Sequence, residues 1–390
     1  MTGPLVPAIP GLPTLDWNTF TGSRSSSTPC LLSQPNVQLT TSGRASILLA
    51  LEILEIGAGD KVLVPTYHCP TMVAPVVARG AQPIFYPLDE LGAPRLGWLA
   101  QQGTGQFRAI LVAHFFGLPQ HLAGIRQWCD RHGVHLIEDC AHALFGSSDG
   151  RPIGTWGDMA IASLTKFLPV PEGGCLVRNV GAQITPALQA PSFLRQIKSA
   201  FDIFHTSANH RRLKGFGGLI RGFYTMLGHF KSGTKDAREG PLTASISYGS
   251  SVDFPQSHQA LTFASRWITR YAPRERIVAA RRRNYGYLAH ALARVTGMHP
   301  LKPDLPTDCA PYVFPLWVDQ PDPGYAELRR LGFPVFRWDR LWPTVSSEND
   351  DCGIRWSTHI LQLACHQDLT QVELERMVDL LQQVYAVAPE

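Results

Sequence analysis

The chain has 390 residues, 44% hydrophobic and 17% charged, an ordinary globular composition with enough length to bury a large core. A net charge of +4 is small for that length and argues against a nucleic-acid binder or a membrane-surface protein as a whole. No apolar run reaches the roughly 20 residues of a membrane span, and the first residues lack the basic and apolar regions of a signal peptide, so no membrane span and a cytoplasmic location are expected.

Residues 1–40 are rich in Pro, Ser and Thr without periodicity and predict an irregular arm. From 43 to about 180, helical and strand patterns alternate, the mark of an α/β domain with a mostly parallel sheet. A densely apolar helix is predicted from Gly43 to Gly57, ended by Gly57 and Gly59. Next come a strand at Lys61–Pro65, a helix at Pro70–Ala78, a strand at Pro83–Tyr86 and a buried strand at Arg108–His114. A helix over His121–His132 leads to the strand Val134–Glu138, which ends in Asp139. Strands at Met159–Ser163 and Gly174–Arg178 run into and out of the loop that carries Lys166.

The stretch 181–250 breaks this rhythm. It interleaves Arg195, Lys198, Arg211, Arg212 and Arg221 with Phe201, Phe204 and Phe223 and reads as a basic helical insert, a cover for the core or a subunit contact. A basic lid over an anionic substrate and a membrane-surface element are its functional readings. One long helix is predicted from about His258 to Tyr287. A smaller α/β unit follows, with strands at Tyr312–Val318 and Phe333–Phe336 and a final helix from Gln371 to about Val384. The division expected is an arm over 1–40, a large domain over 41–255 and a long helix with a small C-terminal domain over 256–390. None of the eight cysteines forms a C-x-x-C pair. That removes support for a zinc or redox motif and fits buried thiols in a reducing compartment.

Chemistry gathers on strand ends. In an open parallel sheet, ligands bind beyond the carboxyl ends of the strands, and Asp139, His142, Ser163 and Lys166 all fall there. A lysine amine in an apolar loop deprotonates readily and can bond an aldehyde. A carboxylate can hold a pyridine nitrogen protonated, and a histidine can hydrogen-bond a phenolic oxygen. The helix opened by Thr41-Ser-Gly-Arg-Ala-Ser46 suits a phosphate at its N-terminus. These are the needs of pyridoxal 5′-phosphate (PLP). Taken singly each signal is weak, since an Asp after a strand is often a helix cap; their order carries the reading. No metal site is expected. A nicotinamide enzyme would need a G-x-G-x-x-G turn after a first strand, and the sequence has none.

The ordered motifs resemble the DegT/DnrJ family of PLP-dependent sugar aminotransferases. They are Ser42-Gly43-Arg44-Ala45, Val62-Leu-Val-Pro65, His114-Phe-Phe-Gly-Leu-Pro119, Ile137-Glu-Asp-Cys-Ala-His142, Gly150-Arg-Pro-Ile-Gly154, Ser163 to Lys166 and Leu361 to Thr370. The resemblance implies the aspartate aminotransferase-type fold: a seven-stranded, mostly parallel sheet flanked by helices, plus a smaller C-terminal α/β domain. It implies that Lys166 is the Schiff-base lysine, Asp139 the pyridinium partner and His142 a neighbour of the phenolic oxygen. Gly43, Arg44 and Ser163 would hold the phosphate. It also implies a homodimer with sites at the subunit contact.

The sequence departs from the family pattern in places. The aromatic residue expected over the ring falls on Cys69, so His68 or Tyr67 would have to serve after a local shift. Two residues are missing between Ser163 and Lys166, and the Asn-x-Arg segment is not recognisable near Asp253-Phe-Pro-Gln256. The reaction expected is transfer of an amino group from an amino acid, plausibly glutamate, to a nucleotide-linked ketosugar, with Arg211, Arg212, Arg337 and Arg340 as phosphate-binding candidates. A non-sugar ketone is the alternative, hinted at by Phe336-Arg-Trp-Asp-Arg-Leu-Trp342. A non-transaminating PLP-binding homologue is a further one.

Overall fold

The computed structural model describes residues 9–103, 105–181, 186–213, 256–345 and 350–385. Its main sheet begins with a strand, β1 (Val37–Thr40), that the sequence does not predict; it alternates too briefly to stand out from the arm. Helix α1 (Gly43–Ile53) follows, N-capped by Ser42, whose hydroxyl accepts from the Ala45 amide at 3.2 Å. Then come β2 (Lys61–Pro65), α2 (Pro70–Ala78), β3 (Gln82–Tyr86), α3 (Leu96–Ala100), β4 (Ala109–Ala113), α4 (Ala123–His132) and β5 (His135–Asp139). A small hairpin, β6 (Ser147–Ser148) with β7 (Arg151–Pro152), precedes β8 (Met159–Ser163) and β9 (Gly174–Arg178).

These strands form a seven-stranded sheet in the order β1-β9-β8-β5-β4-β2-β3. The pairs from β8 to β3 are parallel, while β9 runs antiparallel to both β8 and β1. The mostly parallel sheet expected from the βα alternation is therefore present. Ala109–Ala113 are all buried, as befits an apolar strand covered on both faces. The sheet's order puts β5 between β4 and β8, so the segments that leave their carboxyl ends emerge side by side.

Beyond the main sheet lie α5 (Phe193–Asn209), α6 (Phe263–Tyr271) and α7 (Arg274–Leu292). The single helix predicted over His258–Tyr287 is in fact two. Pro273 has no N–H to continue the first helix and drives Ala272 out of the helical region, to φ −57°, ψ 131°. Of the predicted insert, residues 182–185 and 214–250 lie outside the described residues.

A second sheet contains β10 (Met298–Pro300), β11 (Val313–Val318), β12 (Val335–Phe336) and β13 (Ile360–Ala364), all antiparallel, in the order β10-β11-β13-β12. Helices α8 (Gly324–Arg330), α9 (Cys352–His359) and α10 (Gln371–Tyr385) complete it. Its own core gathers Tyr285, Leu288, Phe314, Leu316, Leu361, Leu363, Met377 and Leu381.

The N-terminal arm joins both regions. Ile9 sits in the second core, the Thr14 amide donates to Asp368 at 3.2 Å and His366 Nε2 meets the Pro10 carbonyl at 2.9 Å. Leu31 is fully buried in the first core.

Candidate active site

Asp139 is the last residue of β5, at the middle of the sheet, and is 4% exposed. Its Oδ1 accepts the Ala141 amide at 2.8 Å. Burial raises its pKa, while that hydrogen bond and the nearby Lys166 and His114 pull it back down. Lys166 ends a short 3-10 turn after β8. Part of its surface stays accessible, yet the protein packed around its amine lowers its pKa; Cys69 and Asp139 oppose that shift. Carboxylate and amine thus face each other electrostatically, each favouring its neutral form through burial and its charged form through the other.

His142 is 5% exposed, and its Nδ1 accepts the Phe116 amide at 3.2 Å. That bond leaves the proton on Nε2, which makes the ring a donor. Burial, and then the charge of Lys166, push its pKa well below the usual range. A neutral imidazole with one free N–H suits the role of donor to a phenolate oxygen.

Helix α1 and strand β8 meet at one end of the candidate site. A Cβ on Gly43 would stand 3.5 Å from the Ser163 Cβ, so the helix's first turn abuts the end of β8. The amides of that first turn have no intrahelical acceptors, and Ser163 and Thr165 add hydroxyls 3.2 Å apart. Arg44 is exposed beside them. Gly43 and Ser163 are thus neighbours, with Arg44 the next residue in the helix's first turn.

His68 is a different matter. It is fully buried and stacks on Phe85 at 5.0 Å. Its Nδ1 meets the Pro65 carbonyl at 3.0 Å and its Nε2 accepts the Trp342 amide at 3.1 Å. With both nitrogens and one ring face engaged, it fastens the 336–342 segment to the sheet and is not free to cover a cofactor ring. Tyr67 is also fully buried, among Phe115, Phe116, Trp338 and Trp356, and its hydroxyl accepts from Gln362 at 3.0 Å. The aromatic side chain that borders the site is Trp338, partly exposed, 4.9 Å from the His142 ring and 5.0 Å from that of Tyr67.

Of the basic candidates, Arg337 is paired with Asp322 at 2.6 Å and donates to the Thr358 carbonyl. Arg212 is paired with Glu373 at 2.6 Å. Both are used in holding the structure.

Arg281 and Tyr312, to which sequence reasoning gave no role in the site, and Trp338, from the aromatic segment 336–342, complete the site. Arg281, on α7, is fully buried; its Nη2 donates to the Lys166 carbonyl at 2.7 Å, and its Nη1 to the carbonyls of Pro311 and Tyr312. Its Nε donates to Gln367, and its guanidinium lies over Phe167. The signal was present: Arg281 interrupts the apolar stripe Ile277, Tyr285, Leu288 at helical spacing. Tyr312 and Trp338 arrive from the second sheet; the aromatic run Phe336–Trp342 marked Trp338, and no local motif marks Tyr312.

Glu138, next to Asp139, is buried and accepts from His114 and from the amides of Gly154, Trp156 and Gly157. His114, Glu138 and Cys140 have ligand-type atoms within 4.8 Å of one another. The Glu138 donors, and the Gln120 amide on His114 Nδ1, account for the His–Glu pair as structural.

Residues 31–197 match the DegT/DnrJ/EryC1/StrS aminotransferase family, the resemblance that the motifs carry. A UDP-N-acetyl-3-dehydro-alpha-D-glucosamine 3-aminotransferase of Acidithiobacillus ferrooxidans is 33% identical over 151 residues, 38% of this chain and 41% of that protein. GDP-perosamine synthase of Vibrio cholerae is 32% identical over 142 residues, 36% of this chain and 39% of that protein. An L-glutamine:2-deoxy-scyllo-inosose aminotransferase of Streptoalloteichus tenebrarius is 34% identical over 145 residues, 35% and 33% respectively. The matched stretch thus spans about four-tenths or less of these curated relatives. The fold reaches further. An aminotransferase from Streptoalloteichus hindustanus superposes with a TM-score of 0.61 at 20% identity, covering 90% of this chain and 86% of its own. For 3-amino-5-hydroxybenzoic acid synthase the TM-score is 0.62 at 17% identity, covering 90% and 87%.

Proposed function

We propose that this chain, with the DegT/DnrJ/EryC1/StrS signature over 31–197, is a PLP-dependent aminotransferase whose acceptor is a keto sugar or a related cyclic ketone. The observation that carries the reading is the placement of the Asp139 carboxylate and the Lys166 amine at neighbouring strand ends, close enough for each to stabilise the other's charged form, beside an anion-suited helix start. When bound, PLP supplies an aldehyde that captures amines and a protonated ring that takes up electrons released at the substrate carbon. The residues present fit it. Asp139 Oδ1 is engaged by Ala141, leaving its second oxygen as acceptor for a ring N–H. His142 offers an Nε2–H, and Gly43, Arg44 and Ser163 surround the place for a phosphate.

Lys166 has two tasks in this reading. Its amine, biased toward the neutral form by burial, would hold the aldehyde of the cofactor, and when free it would take and return the proton at the substrate carbon. The donor proposed is glutamate; the names of several relatives give L-glutamine, which makes it the next to try. The acceptor proposed is a nucleotide-linked ketosugar, as the names of the Acidithiobacillus and Vibrio proteins suggest. A non-sugar ketone is favoured by one observation: Trp338 borders the site while Arg337 is consumed by Asp322. A homodimer, a cytoplasmic location and the division at residues 41 and 256 belong to the same proposal. No described helix is long and apolar enough to cross a membrane.

The test is direct. Protein reconstituted with PLP should show a visible absorbance band, and borohydride should fix the cofactor mass on the peptide containing Lys166. Lys166→Ala should show neither. A donor screen should then bleach the band, and a ketone should restore it. A band that no amino acid bleaches would favour a non-transaminating homologue; adduct on another lysine would sink the reading.

A further inference from the structure

Tyr312 stands just before β11 and is 5% exposed. Its hydroxyl makes no hydrogen bond among the described residues, and it is not one of the fully buried polar atoms left without a partner, so it opens onto accessible space. Its ring lies 4.5 Å from that of His142, and the Lys166 Nζ is 5.1 Å from its centroid. The ring is therefore buried while its hydroxyl stays open, beside the two groups that frame the ligand's place.

Its position is over-determined. The Tyr312 amide donates to the Phe116 carbonyl at 2.8 Å. Its carbonyl accepts from Arg281 Nη1 at 3.1 Å, while Nη2 of the same guanidinium holds the Lys166 carbonyl at 2.7 Å. The planar fork fixes the spacing of both residues at once, as a flexible ammonium would not. Gly117, at φ +91°, lets the loop after β4 close on this point, because a Cβ there would collide with the Tyr312 amide nitrogen.

We propose that Tyr312 is a catalytic-site residue, its phenol donating a hydrogen bond to the phenolic oxygen of bound cofactor together with His142, and that Arg281 is the positioning residue that keeps it in register with Lys166. The inference rests on the PLP reading above. Burial raises the phenol's pKa further above its ordinary value, so it stays a donor throughout the working range.

The experiment compares wild type, Tyr312→Phe and Arg281→Lys, each reconstituted with PLP, in three readouts: the pH midpoint of the visible band, the cofactor dissociation constant and the rate of bleaching by the donor. Loss of a donor to the phenolate leaves that oxygen more basic, so Tyr312→Phe should raise the midpoint by about one pH unit, a tenfold change in proton affinity. Bleaching should slow by about 10- to 100-fold. Arg281→Lys should move the midpoint in the same direction. A wild-type band with an unchanged midpoint and dissociation constant in Tyr312→Phe would overturn the assignment and leave the cofactor reading standing. Absence of a band in wild type would overturn both. Tyr312→Phe keeps the ring's packing, so the assignment stays testable even if Arg281→Lys fails to fold.

Discussion

The two sides of the site are built on different principles. The side formed by the main sheet presents ionisable and hydroxyl groups, Asp139, His142, Ser163 and Lys166, each within three residues of a strand end. The side formed by the second sheet and α7 presents a tryptophan, a tyrosine and a buried guanidinium, from residues 281, 312 and 338. On the first side the chain's own direction delivers chemistry to one edge. On the second, packing between distant segments delivers shape. If the reading is right, substitutions on the first side should stop the reaction with little cost to the fold. Those on the second should alter what the site accepts, loosen it or, at Tyr312, slow the reaction by a smaller factor.

The sharpest break would come at Asp139. Asp139→Asn removes the charge opposite the ring nitrogen and should slow donor bleaching by about 100- to 1,000-fold, with the melting temperature of the apoprotein unchanged or raised, since a buried carboxylate is relieved. A variant that loses stability and keeps its rate would reverse the comparison.

Acid should act through the wall of the site as well as through the buried His142. His68 has its pKa lowered from 6.5 to about 4 by burial. The folded state therefore resists a proton that the unfolded chain accepts. The stability concerned is fully present above pH 6.5 and is eroded as pH falls through 6.5 toward 4, by about 3 kcal/mol for this one group. Thermal melts across that window should fall steeply in wild type and less steeply in His68→Gln.

Gly117→Ala probes the joint between the sides. A side chain at φ +91° against Tyr312 should cost about 1 to 3 kcal/mol in denaturant melts and weaken cofactor retention in parallel. The smallest effect is expected at Trp338→Phe, which keeps an aromatic ring; it should change the acceptor's KM about threefold, on the scale of a lost contact, with donor bleaching untouched. An equal fall in both half-reactions would place Trp338 with the reacting groups instead.

The difference between the sides also decides what could be read from sequence. The strand pattern through Arg178 and the placing of Asp139 and Lys166 after strands were legible because βα alternation is local and periodic. Strand β1 escaped because four residues with two apolar positions carry too little periodicity. The break at Pro273 was written in the sequence, but the arginine-rich pattern on either side masked it. His68 was a reasonable candidate for the ring face by its place near Cys69; only the Trp342 amide, 274 residues away, reveals that its nitrogens are taken. Tyr312 has no signature of its own, because what makes it notable is a guanidinium from another helix.

The arm's double attachment has a mechanical consequence. Ile9 and Thr14 are docked on the second sheet's region, whereas Leu31 and β1 belong to the first. While that tie is intact, the halves of the cleft are restrained from swinging widely apart, which confines ligand entry to small displacements. Ile9 packs in the second core and Leu12 and Leu15 against the first, so residues 9–15 carry the restraint and their deletion would remove it. Hydrogen exchange around Lys166 should then quicken, and bound vitamin should leak out sooner.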